Sequence, residues 1–428
     1  IINACKEIGV RTVAVYSSVD KKAVHTERAD EAYLIGNPPA SESYLKQDTI
    51  IAVAQEAACD AIHPGYGFLA ENGPFAQKVR DAGIIFIGPP KKAIDDMGEK
   101  TVARKIMKMA GVPVVPGSDG AIHDIKDAAE RAKVVGYPVI LKAAQGGGGR
   151  GMRVVEEESG LQNAFLAAES EAITAFGDGT IYMEKFIEAP RHIEVQVMAD
   201  SHGNVLHIGE RDCSMQRRHQ KLIEESPAVV LTPEVRARLH ASAVQPTKYI
   251  KYEGAGTFEF LLDKNLDFYF MEMNTRLQVE HTVSEEVSGL DLIEWMIRIA
   301  EGEVLPGQES ITFHGHSIEC RISAEDSVRF LPSPGTITEW VAPGGLGVRI
   351  DTHAHAGYTV PSTYDSMIGK LIVKADTREK AVARMHRALS EFKVEGIRTT
   401  IDFHKKMMAN PDFMNNNFDT KYLENYKG

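Results

Sequence analysis

The sequence predicts a multidomain chain of α/β and α+β class, and three observations along it support this class. From Gly9 to Pro90, short β-rich apolar runs alternate with helical patterns, as they do in βαβ units. A proline-bearing connector then leads into a small unit of about 70 residues, and after Pro190 the pattern becomes strand-rich. With 428 residues, of which 43% are hydrophobic and 25% charged, the chain has enough apolar material for several structural units.

The first predicted domain, residues 1–86, is an open parallel α/β layer. Its opening residues have helical spacing that ends at Gly9, without a cap before them. The expected strands are Val10–Tyr16, Ala61–His63 and Ile84–Ile87, and the expected helices are Asp48–Ala58 and Pro74–Ala82. Residues 87–114 are predicted to be a linker that contains a helix at Lys100–Ala110 and ends in a Pro-Gly connector.

Residues 115–186 are predicted to form a second, small domain, whose size suits a mobile lid. Its predicted elements are helices Ile125–Val135 and Leu161–Ala175 and strands Pro138–Lys142, Met152–Val155 and Thr180–Phe186. The remainder, residues 187–428, is predicted to begin as antiparallel sheet and to continue as mixed α+β structure. Its predicted elements are strands His192–Ala199, Val205–Arg211, Gly256–Leu262 and Phe268–Glu272 and helices Leu290–Gly302 and Glu379–Phe392.

Charge and composition exclude several classes of protein. A formal net charge of -12 and a pI near 5.7 argue against a general nucleic-acid binder, which needs an excess of Lys and Arg. The four cysteines lie far apart without a CxxC pair, so neither a disulfide framework nor a zinc site is indicated. No stretch approaches the length of a transmembrane helix, and the N-terminus lacks a signal-peptide pattern. We therefore expect a cytoplasmic protein that binds neither nucleic acid nor membrane.

A glycine run between two predicted strands is the first candidate site. Gly146–Gly149 follows Lys142 and precedes Arg150. Successive glycines let backbone N–H groups approach an anion, and the lysine adds a point charge for a phosphate. A flexible linker is the alternative, but the flanking strands and cations favour a phosphate-covering hairpin. The run is neither a Walker loop nor a Rossmann fingerprint, because the required spacing and following helix are missing.

Two carboxylates and an amide on adjacent predicted strands form the second candidate site. Glu259 and Glu272 can face one another, and Asn274 shares the face of Glu272 because it lies two residues further along. Such oxygen donors suit Mg²⁺. Charges at a strand edge are the alternative, but both acids lie among apolar residues, where an unpaired carboxylate is costly.

Two further segments combine cations, amides and acids. Arg276, Gln278 and Glu280 would share one face if the segment is extended, and they offer a cation, an amide and a possible base. Alone, this segment would be interpreted as a solvated charged face. The run Glu210–Lys221 is rich in basic and amide groups beside a strand, where it is suited to anions. Its Cys213 is expected to be a packed thiol.

Several long motifs give the chain a resemblance to the biotin carboxylases, the ATP-grasp components of biotin-dependent carboxylases, and most closely to the acetyl-CoA carboxylase subunit. The resemblance covers nearly the whole chain. It is carried by Lys142 with the glycine run, Tyr182–Lys185, Arg191–Glu194, Arg211–Lys221, Glu272–His281, His63–Asn72, Phe330–Gly335 and Tyr364–Lys370.

The resemblance implies an N-terminal Rossmann-like domain, an ATP-grasp lid and core, and a C-terminal barrel-sandwich-like α+β region. The residues it implies for ATP binding are Lys100, Lys142, Gly148, Gly149, Glu184, Lys185, Phe186, Ile187, His192, Gln216, His219, Leu261, Glu259 and Glu272. Those implied for Mg²⁺ or Mn²⁺ are Glu259, Glu272 and Asn274. Those implied for bicarbonate are Lys221, Arg276, Gln278, Val279 and Glu280, and Arg321 would meet biotin.

The implied reaction is the carboxylation of biotin through carboxyphosphate, with Lys221, Arg276, Glu280 and Arg321 as catalytic residues. The implied partners are a biotin carboxyl carrier protein and carboxyltransferase subunits, within a homodimeric enzyme. No biotinyl-lysine motif is present, so the biotin is expected on another polypeptide or further segment. Family members also have a strand before the point where this sequence starts. We expect the protein to have it too, since a sheet without it would contain a gap.

Two other classes of protein would share part of these features. Another ATP-grasp ligase would share Lys142, the glycine run, Glu272 and Asn274, but not the combination of Arg276–Glu280 with Arg211–Lys221. A nucleotide-sensing subunit without catalysis would lack either the base or the metal acids, and this chain has both. An acyl acceptor such as acetyl-CoA, propionyl-CoA or pyruvate is chosen elsewhere in such enzymes.

Overall fold

The computed structural model describes residues 1–118, 120–143, 152–176 and 178–426. They divide into two compact units. The first unit comprises Ile1–Val112, Arg191–Phe260 and Glu272–Gly428, and the second comprises Pro113–Pro190 and Leu261–Met271. Each unit is described separately below.

The N-terminal part of the first unit contains two small parallel sheets, β1 with β2 and β3 with β4. The strands are β1 Val13–Ser17, β2 Glu31–Gly36, β3 Ala61–Ile62 and β4 Ile85–Phe86. The helices are α1 Ile2–Glu7, α2 Val24–Arg28, α3 Gln47–Glu56, α4 Gly73–Asp81, α5 Lys91–Gly98 and α6 Lys100–Met109. A cavity of about 480 Å³, lined mostly by apolar side chains of these elements, adjoins both sheets. The parallel strand pairing agrees with the predicted α/β layer, and the predicted linker carries two helices.

The second unit contains a three-stranded antiparallel sheet in the order β6-β5-β7, covered by helices. Its strands are β5 Val139–Ala143, β6 Met152–Val155 and β7 Ile181–Lys185, and its helices are α7 Ile125–Val135 and α8 Leu161–Phe176. Leu141, Phe165 and Met183 are among the buried side chains of its own hydrophobic core. The small unit therefore has the apolar interior of a domain.

The rest of the first unit contains most of an eight-stranded sheet with the order β12-β11-β8-β9-β10-β13-β18-β16. Its strands are β8 Arg191–Ala199, β9 Val205–Arg217, β10 Gln220–Ser226, β11 Gly254–Leu262, β12 Phe268–Asn274, β13 His316–Ser323, β16 Val348–Thr352 and β18 Met367–Ala375. The parts of β11 and β12 that fall within residues 261–271 belong to the second unit. The helices between the strands are α9 Pro233–Tyr249, α10 His281–Ser288 and α11 Leu292–Ala300. Helix α9 continues through Pro246.

The remaining elements are short strands and the C-terminal helices. The strands are β14 Gly335–Thr336, β15 Glu339–Val341, β17 Thr359–Val360 and β19 Lys393–Glu395, which pair as β14 with β17 and β15 with β19. The helices are α12 Arg378–Glu391, α13 Ile401–Met408, α14 Pro411–Met414 and α15 Tyr422–Asn425. Short 3-10 turns lie at Ser18–Asp20, Ala40–Glu42, Glu158–Gly160 and Gln308–Ser310.

Alternation along the strands gives the large sheet one apolar and one polar face near β13. Ile318, Cys320 and Ile322 are fully buried in a hydrophobic cluster that α12 and α13 help to form. Glu319 and Arg321, between them in sequence, point to the opposite face because side chains alternate along a strand. That polar face carries the candidate active site. No helix in the described ranges is long and apolar enough to cross a membrane.

Candidate active site

A buried ion pair lies at the centre of the polar face. Glu194 of β8 stands directly opposite Arg211 of β9, and neither side chain is exposed to solvent. The Arg211 Nε donates to Glu194 Oε1 at 2.5 Å. Burial alone would lower the pKa of Arg211, but the Glu194 and Glu280 carboxylates together with other neighbouring groups raise that pKa. The close contact of the two side chains compensates each of them for lost hydration.

Lys221 of β10 is the cation around which the site is organised. Its Nζ lies 2.5 Å from Glu194 Oε2, 2.9 Å from Glu259 Oε1 and 2.5 Å from Glu280 Oε1. Although burial opposes ionisation, these three carboxylates raise the pKa of Lys221 well above its usual value. The structure thus confines a fixed positive charge beside three acids that come from different parts of the chain.

The segment after β12 is not extended, so the predicted common face of Arg276, Gln278 and Glu280 is wrong as a strand pattern. Residues 275–280 form a bend followed by a turn into α10. The bend nevertheless brings Gln278 to the cluster, since its Nε2 donates to Glu259 Oε1 at 2.7 Å and its Oε1 accepts from Arg211 at 3.1 Å. A turn satisfies the polar backbone of this short segment locally, which a sequence pattern of period two does not reveal.

Glu280 is held between two cations. Its Oε1 faces Lys221 and its Oε2 accepts from Arg321 at 2.9 Å. Burial would raise its pKa, but Lys221 and then Arg321 hold the pKa well below its usual range. The preceding residue is fixed as well, because the Lys370 ammonium donates to the Val279 carbonyl. Glu280 is therefore an ionised carboxylate in a fixed position.

Arg276 points to a different set of partners. Its Nε donates to Glu71 Oε2 at 2.7 Å, and another guanidinium nitrogen donates to Asn274 Oδ1 at 3.1 Å. Glu71 also accepts from the backbone N–H of Thr275 at 3.0 Å. The Arg276 side chain is 22% exposed, so it stands at the solvent side of the cluster.

The predicted metal ligands come together in part. Asn274 Nδ2 donates to Glu259 Oε1 at 2.9 Å, and His192 Nε2 lies 2.9 Å from Glu259 Oε2. The pKa of Glu272 is raised, first by burial and then by the nearby Glu259 carboxylate. Two neighbouring carboxylates suit a divalent cation, whereas the Asn274 amide turns its nitrogen toward Glu259 and its oxygen toward Arg276.

The described residues contain two tighter groups of possible metal ligands. They are His192, Glu194 and Glu259, and Glu194, Cys213 and Glu280, with ligand atoms within 4.8 Å of one another. Glu272 belongs to neither group. Glu259 is common to the first group and to the predicted ligands, so it is the acid with the best claim to a cation.

Three more residues predicted to bind nucleotide lie in the first unit. Lys100 begins α6. Its charge acts on Glu272 and partly opposes the rise in the pKa of that carboxyl. Gln216 is buried near the end of β9, directly opposite Lys221. His219 is exposed in the turn between β9 and β10, with a φ of 64°. Its placement at a turn separates it from the buried cluster.

The other predicted nucleotide residues lie in the second unit or outside the described ranges. Lys142 of β5 pairs with Glu184 of β7, and Lys185 donates to the carbonyls of Gly136 and Tyr137 at 3.0 and 2.7 Å. Phe186 and Ile187 follow β7, and Leu261 lies in β11. Gly148, Gly149 and Arg150 lie outside the described residues. The lysine and its acid partner thus belong to one small sheet.

Cys213 has the role that the sequence predicts. It is fully buried, and burial followed by the charge of Glu194 raises the pKa of its thiol well above its usual value. The thiolate form that a nucleophile requires is thus suppressed. All four cysteines are free thiols.

Three residues that sequence reasoning did not assign make essential contacts. Glu194 completes the Lys221 cluster, Glu71 holds Arg276, and Lys370 holds the Val279 carbonyl. All three stand within the motifs quoted above. Glu194 had a detectable signal, because it lies between Ile193 and Val195 in a predicted strand, and a buried carboxylate needs a partner.

Family models match almost the whole chain. The biotin carboxylase N-terminal domain matches residues 1–94, and the biotin carboxylase C-terminal domain matches residues 319–425. Between them, residues 99–308 match the ATP binding domain of the carbamoyl-phosphate synthase L chain. The middle match defines the class of nucleotide-dependent domain, and the flanking matches define the family.

Curated relatives agree with this assignment. The chain is 52% identical to biotin carboxylase 1 of Bacillus subtilis over 100% of the chain and 95% of that protein. It is also 52% identical to a pyruvate carboxylase subunit of Methanothermobacter thermautotrophicus, over 100% of the chain and 87% of that protein.

Solved structures show the same fold. A biotin carboxylase from Campylobacter jejuni in complex with β,γ-ATP is 60% identical, with a TM-score of 0.93 over 99% of this chain and 95% of that one. The biotin carboxylase domain dimer of Hydrogenobacter thermophilus 2-oxoglutarate carboxylase, with MgADP, ADP and bicarbonate, is 50% identical, with a TM-score of 0.91 over 99% and 94%. The chain belongs to the biotin carboxylase family and is an ATP-grasp ligase.

Proposed function

We propose that this chain carboxylates biotin on a separate carrier protein, using MgATP and bicarbonate, as the biotin carboxylase subunit of an acetyl-CoA carboxylase that supplies fatty acid synthesis. One observation carries the chemistry: the Lys221 ammonium and the Arg321 guanidinium contact the two oxygens of the same buried carboxylate, Glu280. An ionised acid between two fixed cations is suited to bind an anion and to take a proton from it.

Glu280 is the proposed base for bicarbonate. Its pKa is well below its usual range while Lys221 and Arg321 are paired with it, so it is a weak base in this arrangement. A bicarbonate anion that binds these cations would weaken their pairing with Glu280 and strengthen the base. Glu280 then removes the bicarbonate proton, and the bicarbonate oxygen attacks the γ-phosphorus as ADP departs. The product is carboxyphosphate.

Biotin reacts in the second step. Carboxyphosphate breaks into CO₂ and phosphate, and the phosphate accepts the ureido N–H proton. The biotin enolate that forms then attacks CO₂. Arg276 is the proposed stabiliser of the enolate, and its position at the solvent side of the cluster supports this role. Arg321 orients the biotin side of the pocket, and Gln278 and Val279 complete the bicarbonate site.

Glu259, Glu272 and Asn274 are the proposed holders of the metal, for which Mn²⁺ is an alternative to Mg²⁺. When MgATP is bound, the metal would neutralise part of the phosphate charge. Lys142, the glycine run and Lys100 supply positive charge and N–H groups for the same phosphates. The remaining proposed nucleotide contacts are Glu184, Lys185, Phe186, Ile187, Gln216, His192, His219 and Leu261.

The proposed assembly comprises this chain as a homodimer, a biotin carboxyl carrier protein and carboxyltransferase subunits in the cytoplasm. Dimerisation is supported by the dimer described for the Hydrogenobacter domain, and a reducing compartment by the four free thiols. A pyruvate or 2-oxoglutarate carboxylase is the second candidate. It is favoured by the 52% identity to a pyruvate carboxylase subunit, equal to that of the Bacillus biotin carboxylase.

The test uses the purified chain with its co-purified biotinylated polypeptide. We expect bicarbonate-dependent ATP hydrolysis that free biotin stimulates. When the native carboxyltransferase is added, we expect a carboxyl group labelled from bicarbonate to be transferred to acetyl-CoA. Labelled oxaloacetate from pyruvate, or a labelled product from 2-oxoglutarate, would support the second candidate. ATP hydrolysis that ignores both bicarbonate and biotin would contradict the carboxylation itself.

A further inference from the structure

Two buried glutamates outside the proposed reaction stand directly opposite one another on the polar face. Glu224 of β10 and Glu319 of β13 are register partners in an antiparallel pair, and both are 0% exposed. Directly opposed residues project to the same face, with Cβ atoms about 5 Å apart. Two ionised carboxylates at this separation and burial would repel each other strongly.

Each glutamate has one bonded and one unbonded oxygen. Glu224 Oε1 accepts from Arg321 Nε at 2.6 Å, while Glu319 Oε2 accepts from the Thr282 hydroxyl and lies 3.6 Å from Lys370 Nζ. Glu224 Oε2 and Glu319 Oε1 are buried without a hydrogen-bond partner in the part of the chain that the structure describes. Such orphaned acceptors are rare in folded proteins, and a shared proton would satisfy both.

The local charges also require a proton. Five buried carboxylates in this part of the sheet share four lysine and arginine cations. The acids are Glu194, Glu224, Glu259, Glu280 and Glu319, and the cations are Arg211, Lys221, Arg321 and Lys370. Arg321 is already divided between Glu224 and Glu280. One negative charge therefore lacks a dedicated partner, and a buried carboxyl without one becomes neutral by binding a proton.

The groups around the pair come from every neighbouring element. They are Cys213 on β9, Lys221 on β10, Cys320 and Arg321 on β13, Lys370 on β18, Glu280 before α10 and His404 on α13, whose Nε2 contacts the Arg321 carbonyl. Burial raises the pKa of Glu224 to about 8, with Arg321 opposing and Glu319 adding to the rise. The pKa of Glu319 is raised as well, first by burial.

We propose that Glu224 and Glu319 share one proton at neutral pH and act as a positioning pair for Arg321. With the proton in place, the pair carries one negative charge, and Arg321 remains available to Glu280. Loss of the proton to solvent at higher pH adds a second charge that draws Arg321 toward the pair. The shared proton is independent of the proposed function, whereas its effect on turnover rests on Glu280 as the bicarbonate base.

Infrared difference spectroscopy tests the proton directly. The folded wild-type protein at pH 7 should show the carbonyl stretch of a protonated carboxylic acid, and Glu224→Gln and Glu319→Gln should each remove it, because the remaining acid is then ionised. Glu285→Gln is the matched control, since Glu285 is another buried acid with a pKa raised, chiefly by burial, to about 7, but both its oxygens are bonded. A band whose intensity is undiminished in both single variants would overturn the shared proton.

If the variants do not fold, the wild-type protein decides. We expect its carboxylic-acid band to disappear between about pH 7 and 9. The same band should remain in Glu285→Gln at pH 7. Absence of the band from the wild-type protein at pH 7 would overturn the proposal. Turnover tests the positioning role. Both Gln variants should lose a smaller fraction of their pH 7 activity than wild type between about pH 7 and 9.

The outcomes separate the two proposals. Identical alkaline limbs in wild type and both variants would refute the positioning role even where the infrared band behaves as expected. If Glu280→Gln retains normal bicarbonate-dependent turnover, the proposed function fails while the shared proton stands or falls on its band.

Discussion

At the scale of single residues, the site depends on arginine and lysine groups whose partners differ in burial. Lys221 lies within a fully buried set of acids, whereas Arg276 contacts Glu71, whose side chain is 39% exposed. Solvent screens the second pair, so its value is in orientation more than in stability. Arg276 can therefore be removed or released without unfolding the chain.

Arg276→Ala should leave ATP binding nearly unchanged and lower kcat for biotin carboxylation by roughly 10²–10³-fold, the cost of losing a charge that stabilises the developing oxyanion. Binding is measured by calorimetry with MgADP and turnover by labelled bicarbonate. Glu71→Gln keeps the Arg276 guanidinium but weakens the hydrogen bond that orients it. We therefore expect a smaller loss of activity, seen mainly as a higher KM for biotin. Arg298→Ala, at an exposed helical ion pair, is the control. Normal turnover of Arg276→Ala would contradict the assignment of Arg276.

At the scale of elements, the strands supply fixed positions and the turn supplies the base. Lys370 stands directly opposite Arg321 on the β13–β18 pair, so both project from the same face toward residues 279–280. Arg321 holds the Glu280 side chain, and Lys370 holds the backbone just before it. The turn is thus positioned by two neighbouring strands instead of by its own sequence.

Lys370→Met should loosen this turn and lower kcat/KM for bicarbonate about tenfold, equivalent to about 1.4 kcal/mol of transition-state stabilisation. The KM for ATP should change little. Lys374→Met, on the same strand, is the matched control and should behave as wild type. An equal loss in both variants would show that Lys370 acts through general stability and not through the Val279 carbonyl.

At the scale of the whole molecule, a buried ion cluster ties the large sheet to the C-terminal segment. Glu225 of β10 accepts from Arg378 of α12 and lies 2.8 Å from His316 Nε2. Arg378 also donates to the carbonyls of Phe413 and Met414 at 2.8 and 2.9 Å. Burial would raise the pKa of Glu225, but His316 and Arg378 lower it to about 2.

Because this pKa is lower in the folded chain than in the unfolded one, Glu225 stabilises the fold above about pH 4.5, and that stabilisation is lost as pH falls from 4.5 to 2. The loss is roughly 3 kcal/mol over the interval. Glu225→Gln should cost a similar amount at pH 7 and flatten the acid limb of stability. Urea unfolding at several pH values checks both, with Glu56→Gln, at the exposed end of α3, as the control. An acid limb as steep as that of wild type would contradict this role.

Much of the fold followed from the sequence because its signals are local. Helix Ile125–Val135 and strand Met152–Val155 have the predicted bounds, and most others shift by a few residues at their ends. Strand β9 runs to Arg217, well beyond the predicted Arg211, because β10 pairs with its polar end from Asp212 to Arg217. A strand that is rich in buried polar residues is hard to predict from the sequence, because it lacks the usual alternation of apolar and polar residues.

The candidate site divides in the same way. The sequence by itself was enough to select the candidate site residues, including the acids Glu259 and Glu280 and the cations Lys221 and Arg276. They could be recognised because each lies in a continuous stretch of sequence. The tertiary structure alone decided that Lys221 joins three acids, that residues 275–280 bend, and that Glu224 faces Glu319. These contacts join strands that are far apart in the chain, and strand register and burial, which set them, are properties of the folded sheet.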